Sequence, residues 1–107
     1  MRTIQSINEY QQLVEHAETF LLFIKTDNCS VCEGLRPQVE EFEKDYSVPF
    51  YLANAAKMPE LAGELLLFSA PVVLLFHKGR ESQRFVRFVR IEELRNRLDE
   101  LEESSDV

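Results

Sequence analysis

Apolar residues recur along this chain in two rhythms that take turns. Tyr10, Leu13, Val14 and Ala17 fall at i, i+3, i+4 and i+7, the spacing of one helix face. Ser6 followed by Glu9 is a capping-box signature that starts this helix, and residues 2–4 ahead of it suit a short first strand. Residues 20–24, FLLFI, are apolar without alternation, the pattern of a strand buried on both faces. Cys32, Leu35, Val39, Phe42 and Tyr46 then make a second helical stripe, with Glu33, Glu40, Glu41, Glu43 and Asp45 mostly off it. Pro37 lies inside that stripe, where a kink is expected. Residues 50–53 predict a third strand, and Pro59 suits the first turn of a helix reaching residue 67. The run VVLLF at 72–76 predicts a central strand. Lys78-Gly79 marks a turn into a strand over 83–89, and Ile91, Leu94, Leu98 and Leu101 line a last helix.

The resulting order, β-α-β-α-β-α-β-β-α, predicts an α/β fold: a mixed central sheet with a parallel part and helices on both faces. Its 107 residues suit a single domain over 1–107, and 45% apolar content supplies a core without metals or staples. The last four residues, 104–107, are expected to be unanchored. A net charge of −7 argues against general affinity for nucleic acid or anionic membrane. The start MRTIQSINEY has no apolar signal region, and the longest apolar run, 70–76, is far below spanning length. The expectation is a cytoplasmic monomer.

The only two cysteines, Cys29 and Cys32, stand where the second strand gives way to the second helix. That is the sheet edge at which α/β proteins place their sites. Cys29 falls at a helix N-terminus, whose free N–H groups favour an anion, and the thiolate is the reactive form of a cysteine. Its pKa, roughly 8.5 when free, is lowered in such a setting. Cys32, one turn on and on the same face, lies within disulfide reach. A structural disulfide would close too short a loop to restrain the unfolded chain much. A metal site lacks further ligands, since His16 and His77 are far apart and no second CxxC exists. A CxxC among βαβ units in a reducing compartment reads instead as redox chemistry, with Cys29 attacking and Cys32 resolving.

These residues together resemble the thioredoxin family over about residues 4–102. CSVC occupies the family's active-site position, and Pro37 matches its helix-kinking proline. Ser69-Ala70-Pro71, 39 residues from Cys32 to Pro71, resembles the family's cis-proline loop, followed by VVLLF and the KGR turn. A strand and helix precede the CxxC strand and no Gly-Gly pair follows the proline loop, as in thioredoxins rather than glutaredoxins. The resemblance implies a thioredoxin-like fold and a thiol–disulfide oxidoreductase that needs no cofactor. It would act on disulfide-containing proteins or low-molecular-weight thiols and be recharged by a reductase. Ala70 and Pro71 would present backbone to an extended substrate, under a cis Ala70–Pro71 bond.

Five departures from the family pattern modify that expectation. Asn28 stands in place of tryptophan beside the first cysteine, and Ser30-Val31 replace Gly-Pro. Phe23 occupies the place of the buried aspartate, and the aspartate's lysine partner is replaced near Phe50 or Tyr51. Reductase activity at neutral pH is therefore expected to be weak. A glycine of the substrate-flanking loop is replaced by Arg87, inside RFVRFVR, where Arg84, Arg87 and Arg90 recur every third residue. These would make the site basic and select acidic peptides or carboxylate-bearing thiols, unless they are solvated or paired with Glu92 and Glu93. Two other readings are a non-catalytic binding module using the groove beside Pro71, and a dimer sharing a metal or iron–sulfur cluster through the CxxC. Asp27 and Glu33 read as a turn residue and a first-turn helix acid, Lys25 as a cation near the site, and His77 as a strand end. Leu66 and Phe68 are candidates for an apolar rim beside the proline loop.

Overall fold

The computed structural model describes residues 1–105. Strands β1 (Arg2–Thr3), β2 (Thr19–Lys25), β3 (Phe50–Asn54), β4 (Val72–His77) and β5 (Arg80–Val86) form one sheet in the order β1-β3-β2-β4-β5. Strands β1, β3 and β2 run parallel, whereas β4 and β5 join antiparallel. Helices α1 (Ile7–His16), α2 (Ser30–Phe42), α3 (Pro59–Glu64) and α4 (Ile91–Ser105) complete the expected α/β order. Among the described residues no helix is long and apolar enough to cross a membrane. Of the tail expected at 104–107, the backbone of Ser104 and Ser105 continues α4, and Asp106 and Val107 lie outside the described residues.

The two faces of β2 explain the layering. Phe20, Leu22 and Ile24 point into one cluster with Tyr10 of α1, Leu61 of α3 and Leu74 and Phe76 of β4. Leu21 and Phe23 point the other way, into a cluster with Val39 and Phe42 of α2 and Leu94 and Leu98 of α4. Successive strand residues alternate faces, so a strand between two helical layers needs apolar residues at every position. Each such side chain contributes about 1.5–3 kcal/mol by leaving water.

Four boundaries, in three elements, differ from the sequence pattern by three residues or more. Helix α2 stops at Phe42 and passes into a 3-10 turn at Glu43–Asp45, although Tyr46 still packs on the same cluster. Strand β5 begins at Arg80 rather than 83, because Lys78 (φ 51°) and Gly79 (φ 80°) form a two-residue hairpin turn of the mirror-image type. It ends at Val86 rather than 89, because Arg87 is left-handed at φ 63°. Helix α3 ends at Glu64, not 67: Leu66 is left-handed at φ 54°, its N–H donates to Gly63 O, and the Leu67 N–H donates to Ala62 O at 2.8 Å. That is a Schellman closure, which normally takes glycine at the left-handed position. Leucine there costs about 1 kcal/mol that glycine would not. Leu66→Gly is therefore expected to raise stability by roughly 0.5–1 kcal/mol, read as a higher urea midpoint at unchanged m. A lower midpoint would mean that the exposed leucine side chain contributes more than its backbone costs.

Candidate active site

Strand β2 ends at Lys25 and the chain turns through Thr26, Asp27 and Asn28 into α2. Asp27 accepts a hydrogen bond from Asn54 Nδ2 at 2.9 Å, tying the turn to the end of β3. Asn28 is left-handed at φ 55°, a conformation asparagine tolerates better than most residues. Cys29 follows as the N-cap of α2: its carbonyl accepts from Glu33 N–H at 3.1 Å and its Sγ from Cys32 N–H at 3.1 Å. The Cys29 sulfur thus sits on the helix N-terminus, where negative charge is favoured. The two cysteines are bonded to each other as a disulfide, with Cα atoms 5.2 Å apart.

Their exposures differ. Cys32 is only 1% accessible and lies in the α2/α4 cluster with Phe23, while Cys29 is partly exposed at its margin. Phe23 is fully buried and registers against Leu52 of β3 and Val73 of β4. Tyr51 packs on the opposite face, Phe50 lies two positions back, and Leu52 is the residue beside Phe23. Among the described residues no aspartate or glutamate is buried, so no buried carboxylate stands near Cys32. Charge is confined to the rim, where Lys25 Nζ is 3.0 Å from Glu33 Oε1.

Ala70 packs on the same cluster as Cys29, and the Ala70–Pro71 peptide is cis. The Pro71 carbonyl accepts from Arg87 N–H at 2.7 Å, which holds the loop before β4 against the loop after β5. Cys29, Cys32 and Ala70 are therefore brought to one cluster, with Asn28 next to Cys29 and Arg87 bonded to Pro71. Other candidates are not brought there. Arg84 grips Glu81 at 2.7 and 2.8 Å and donates to Leu65 O at 2.8 Å, so it closes the end of α3. That pairing replaces the expected partners Glu92 and Glu93. His77 bonds Thr19 Oγ1 at 2.8 Å, at the opposite end of β2 from the cysteines. His16 is exposed beside Glu15.

Of the two rim candidates, Phe68 is 90% exposed and Leu66 is exposed at the end of α3. A groove of about 410 Å³ beside α2 is lined by Val31, Leu35, Gln38, Arg87, Phe88 and Arg90. Phe88 was not singled out in the sequence, and Val31 only as a departure from the family's motif. Phe88 read as part of a strand, and only the left-handed turn at Arg87 exposes it. Another cleft of about 410 Å³, at Thr3, Lys25, Asn54 and Lys57, contains neither cysteine. Among the described residues no group of three or more His, Cys, Asp or Glu could hold a metal ion.

The thioredoxin family model matches residues 2–100. The chain belongs to the thioredoxin family. It is 28% identical over 99 residues to the thioredoxin-like protein YdfQ of Bacillus subtilis, covering 92% of this chain and 88% of that protein. Against mitochondrial thioredoxin-2 of Schizosaccharomyces pombe the identity is 25% over 87 residues, covering 80% of this chain and 65% of that protein. Among solved structures, Fasciola hepatica thioredoxin superposes with a TM-score of 0.83 at 19% identity, covering 94% of this chain and 99% of the other. Malassezia sympodialis thioredoxin gives a TM-score of 0.84 at 17% identity, with coverages of 95% and 90%. Membership with a paired CxxC makes this protein a thiol–disulfide oxidoreductase.

The apolar setting of Cys32 yields a test of this thioredoxin-family site. Phe23→Asp is expected to lower stability by about 3–5 kcal/mol at pH 7, because it removes a buried ring and leaves an uncompensated charge. Burial raises the carboxyl pKa in the folded state above its unfolded value of roughly 3.9. The neutral acid is tolerated better, so the deficit relative to the parent is smallest below that value. It grows as pH rises through the folded pKa. Urea midpoints of both proteins across acid to neutral pH check this, and a deficit independent of pH would show the new carboxylate reaching water. Disulfide turnover by the variant near neutral pH is expected to rise if a buried base assists Cys32.

Proposed function

We propose that Cys29 is the nucleophile and Cys32 the resolving thiol of a reductase for protein or low-molecular-weight disulfides. Asn28, Ala70, Pro71 and Arg87 would line the substrate's path. The observation that carries this division is the asymmetry of the pair: one sulfur is partly exposed on a helix N-terminus, the other almost wholly covered. In the reduced protein the Cys29 thiolate attacks one sulfur of the substrate disulfide, forming a mixed disulfide and releasing the first substrate thiolate, which takes a proton. Cys32 then loses its proton and attacks the Cys29 sulfur, expelling the second substrate thiolate, which is protonated in turn. Two electrons pass to the substrate, leaving two substrate thiols and the Cys29–Cys32 disulfide.

No cofactor enters these steps. A reductase or a low-molecular-weight thiol returns two electrons to the pair, in keeping with a reducing, cytoplasmic setting. The whole chain would act as one domain and as a monomer. The proton of Cys32 must leave toward water or the departing thiolate, since no acid is buried beside it. This predicts slow resolution near neutral pH and persistence of the mixed disulfide.

Iodoacetamide applied to the reduced protein near neutral pH is expected to label Cys29 roughly tenfold or more faster than Cys32, with peptide mass spectrometry as the readout. Cys32→Ser should trap substrates linked to Cys29, whereas Cys29→Ser should trap none. Equal labelling of both thiols, or trapping through Cys32, would reverse the assignment.

A further inference from the structure

The groove between α2 and residues 87–90 carries features that disulfide exchange alone does not use. One wall is Val31, inside the CSVC turn and 55% exposed; the other is Phe88, 85% exposed. Single exposed apolar residues are ordinary, but here two line one groove, and one of them, Val31, stands between the two cysteines in sequence. Arg87 and Arg90 rim the same groove, and no acidic residue lines it. Elsewhere among the described residues, Arg36, Arg84, Arg95 and Arg97 each pair with a carboxylate, whereas Arg2 and Arg80, away from the groove, do not. Among the described residues Arg87 and Arg90 pair with none, on a chain whose net charge is −7.

The backbone adds a second observation. Arg87 is left-handed at φ 63°, and the Phe88 N–H donates to Val86 O at 2.7 Å across it, a tight γ-type turn. An arginine in that conformation costs about 1 kcal/mol that glycine would avoid. The bond from Arg87 N–H to Pro71 O fixes the turn against the proline loop, and the guanidinium lies 5.8 Å over the Phe88 ring. A strained non-glycine residue held at a site edge points to use of its side chain.

We propose that this groove selects substrates by an acidic polypeptide segment next to their disulfide. An apolar side chain packs between Val31 and Phe88, and a neighbouring carboxylate is gripped by Arg87 and Arg90. A guanidinium holds a carboxylate in two places, and the apolar walls strengthen the pairing by excluding water. A bare inorganic anion would use the rim and leave the walls empty. The selection rests on the reductase reading above, but the binding does not.

Two synthetic peptides test it, one with a leucine flanked by glutamates, the other with glutamines in their place. In the first arm, disulfide-free versions are titrated into the oxidised protein and followed by NMR. The acidic peptide should shift Val31, Phe88, Arg87 and Arg90 saturably and bind roughly tenfold tighter at low salt, the advantage shrinking as salt rises. In the second arm, the same sequences carrying a disulfide react with the reduced protein, and the ratio of acidic to neutral rates should be roughly tenfold. Arg87→Gly, which also relieves the backbone, and Arg90→Gln should each bring that ratio toward one. Shifts outside the groove, equal binding of both peptides, or displacement by inorganic phosphate at the peptide's own concentration would overturn the proposal. Selective binding without reaction of either disulfide would leave the groove standing and overturn the reductase reading instead.

Discussion

Strand β2 is held by apolar contacts on both of its faces, and the position of the reactive pair depends on that double burial. Sliding β2 by one residue would exchange the side chains offered to the two helical layers, so its register is tightly held. Its flanking strands reinforce the choice, with Phe23 set between Leu52 and Val73. The turn that follows is tied down by Asp27 and Asn54, and Asn28 supplies the left-handed step. Helix α2 can then begin only at Cys29, whose sulfur caps it. The thiols are delivered to the sheet edge by packing that lies wholly beneath them.

That packing also limits the chemistry. Phe23 and Leu52 make the floor under Cys32 apolar, so no buried proton acceptor waits there. Cys32 is buried in that apolar cluster, whereas Cys29 stands on the helix N-terminus with its sulfur hydrogen-bonded. The two thiols therefore differ more in environment than their spacing suggests. Polar groups have moved outward to the Lys25–Glu33 pair and the arginine rim. Interactions at such positions act on substrate choice and encounter more than on the resolving step.

Four non-glycine residues, Asn28, Leu66, Lys78 and Arg87, hold left-handed backbone. Each ends an element or turns the chain between two. At Lys78 the neighbouring Gly79 shares the turn, and a Cβ on that glycine would lie 3.1 Å from Val14 O. Asn28 leads into the N-cap of α2, and Arg87 ends β5 with its N–H on the Pro71 carbonyl. At Leu66 the conformation closes α3 and leaves the carbonyls of Leu65 and Leu66 free to accept from the Arg84 guanidinium.

Periodicity alone determined the element order, the double burial of β2 and the placing of the cysteines at a strand-to-helix junction. These are local consequences of side-chain spacing, visible wherever apolar residues repeat with one period. The CSVC spacing likewise disclosed the redox pair, and its N-cap position was legible beside it. Tertiary structure decided what spacing cannot express. The ends of α3 and β5 shifted because leucine and arginine adopt a backbone that their identities disfavour, so no turn residue announced them. Leu52, rather than Phe50 or Tyr51, became the neighbour of Phe23 because register between β2 and β3 is set by packing over the whole strand. Arg84, Arg87 and Arg90 look equivalent in a three-residue repeat. Pairing to Glu81 took the first into the scaffold, and the left-handed turn turned the second outward beside Phe88. Where the backbone turns, a side chain's neighbours are chosen by chain segments distant in sequence.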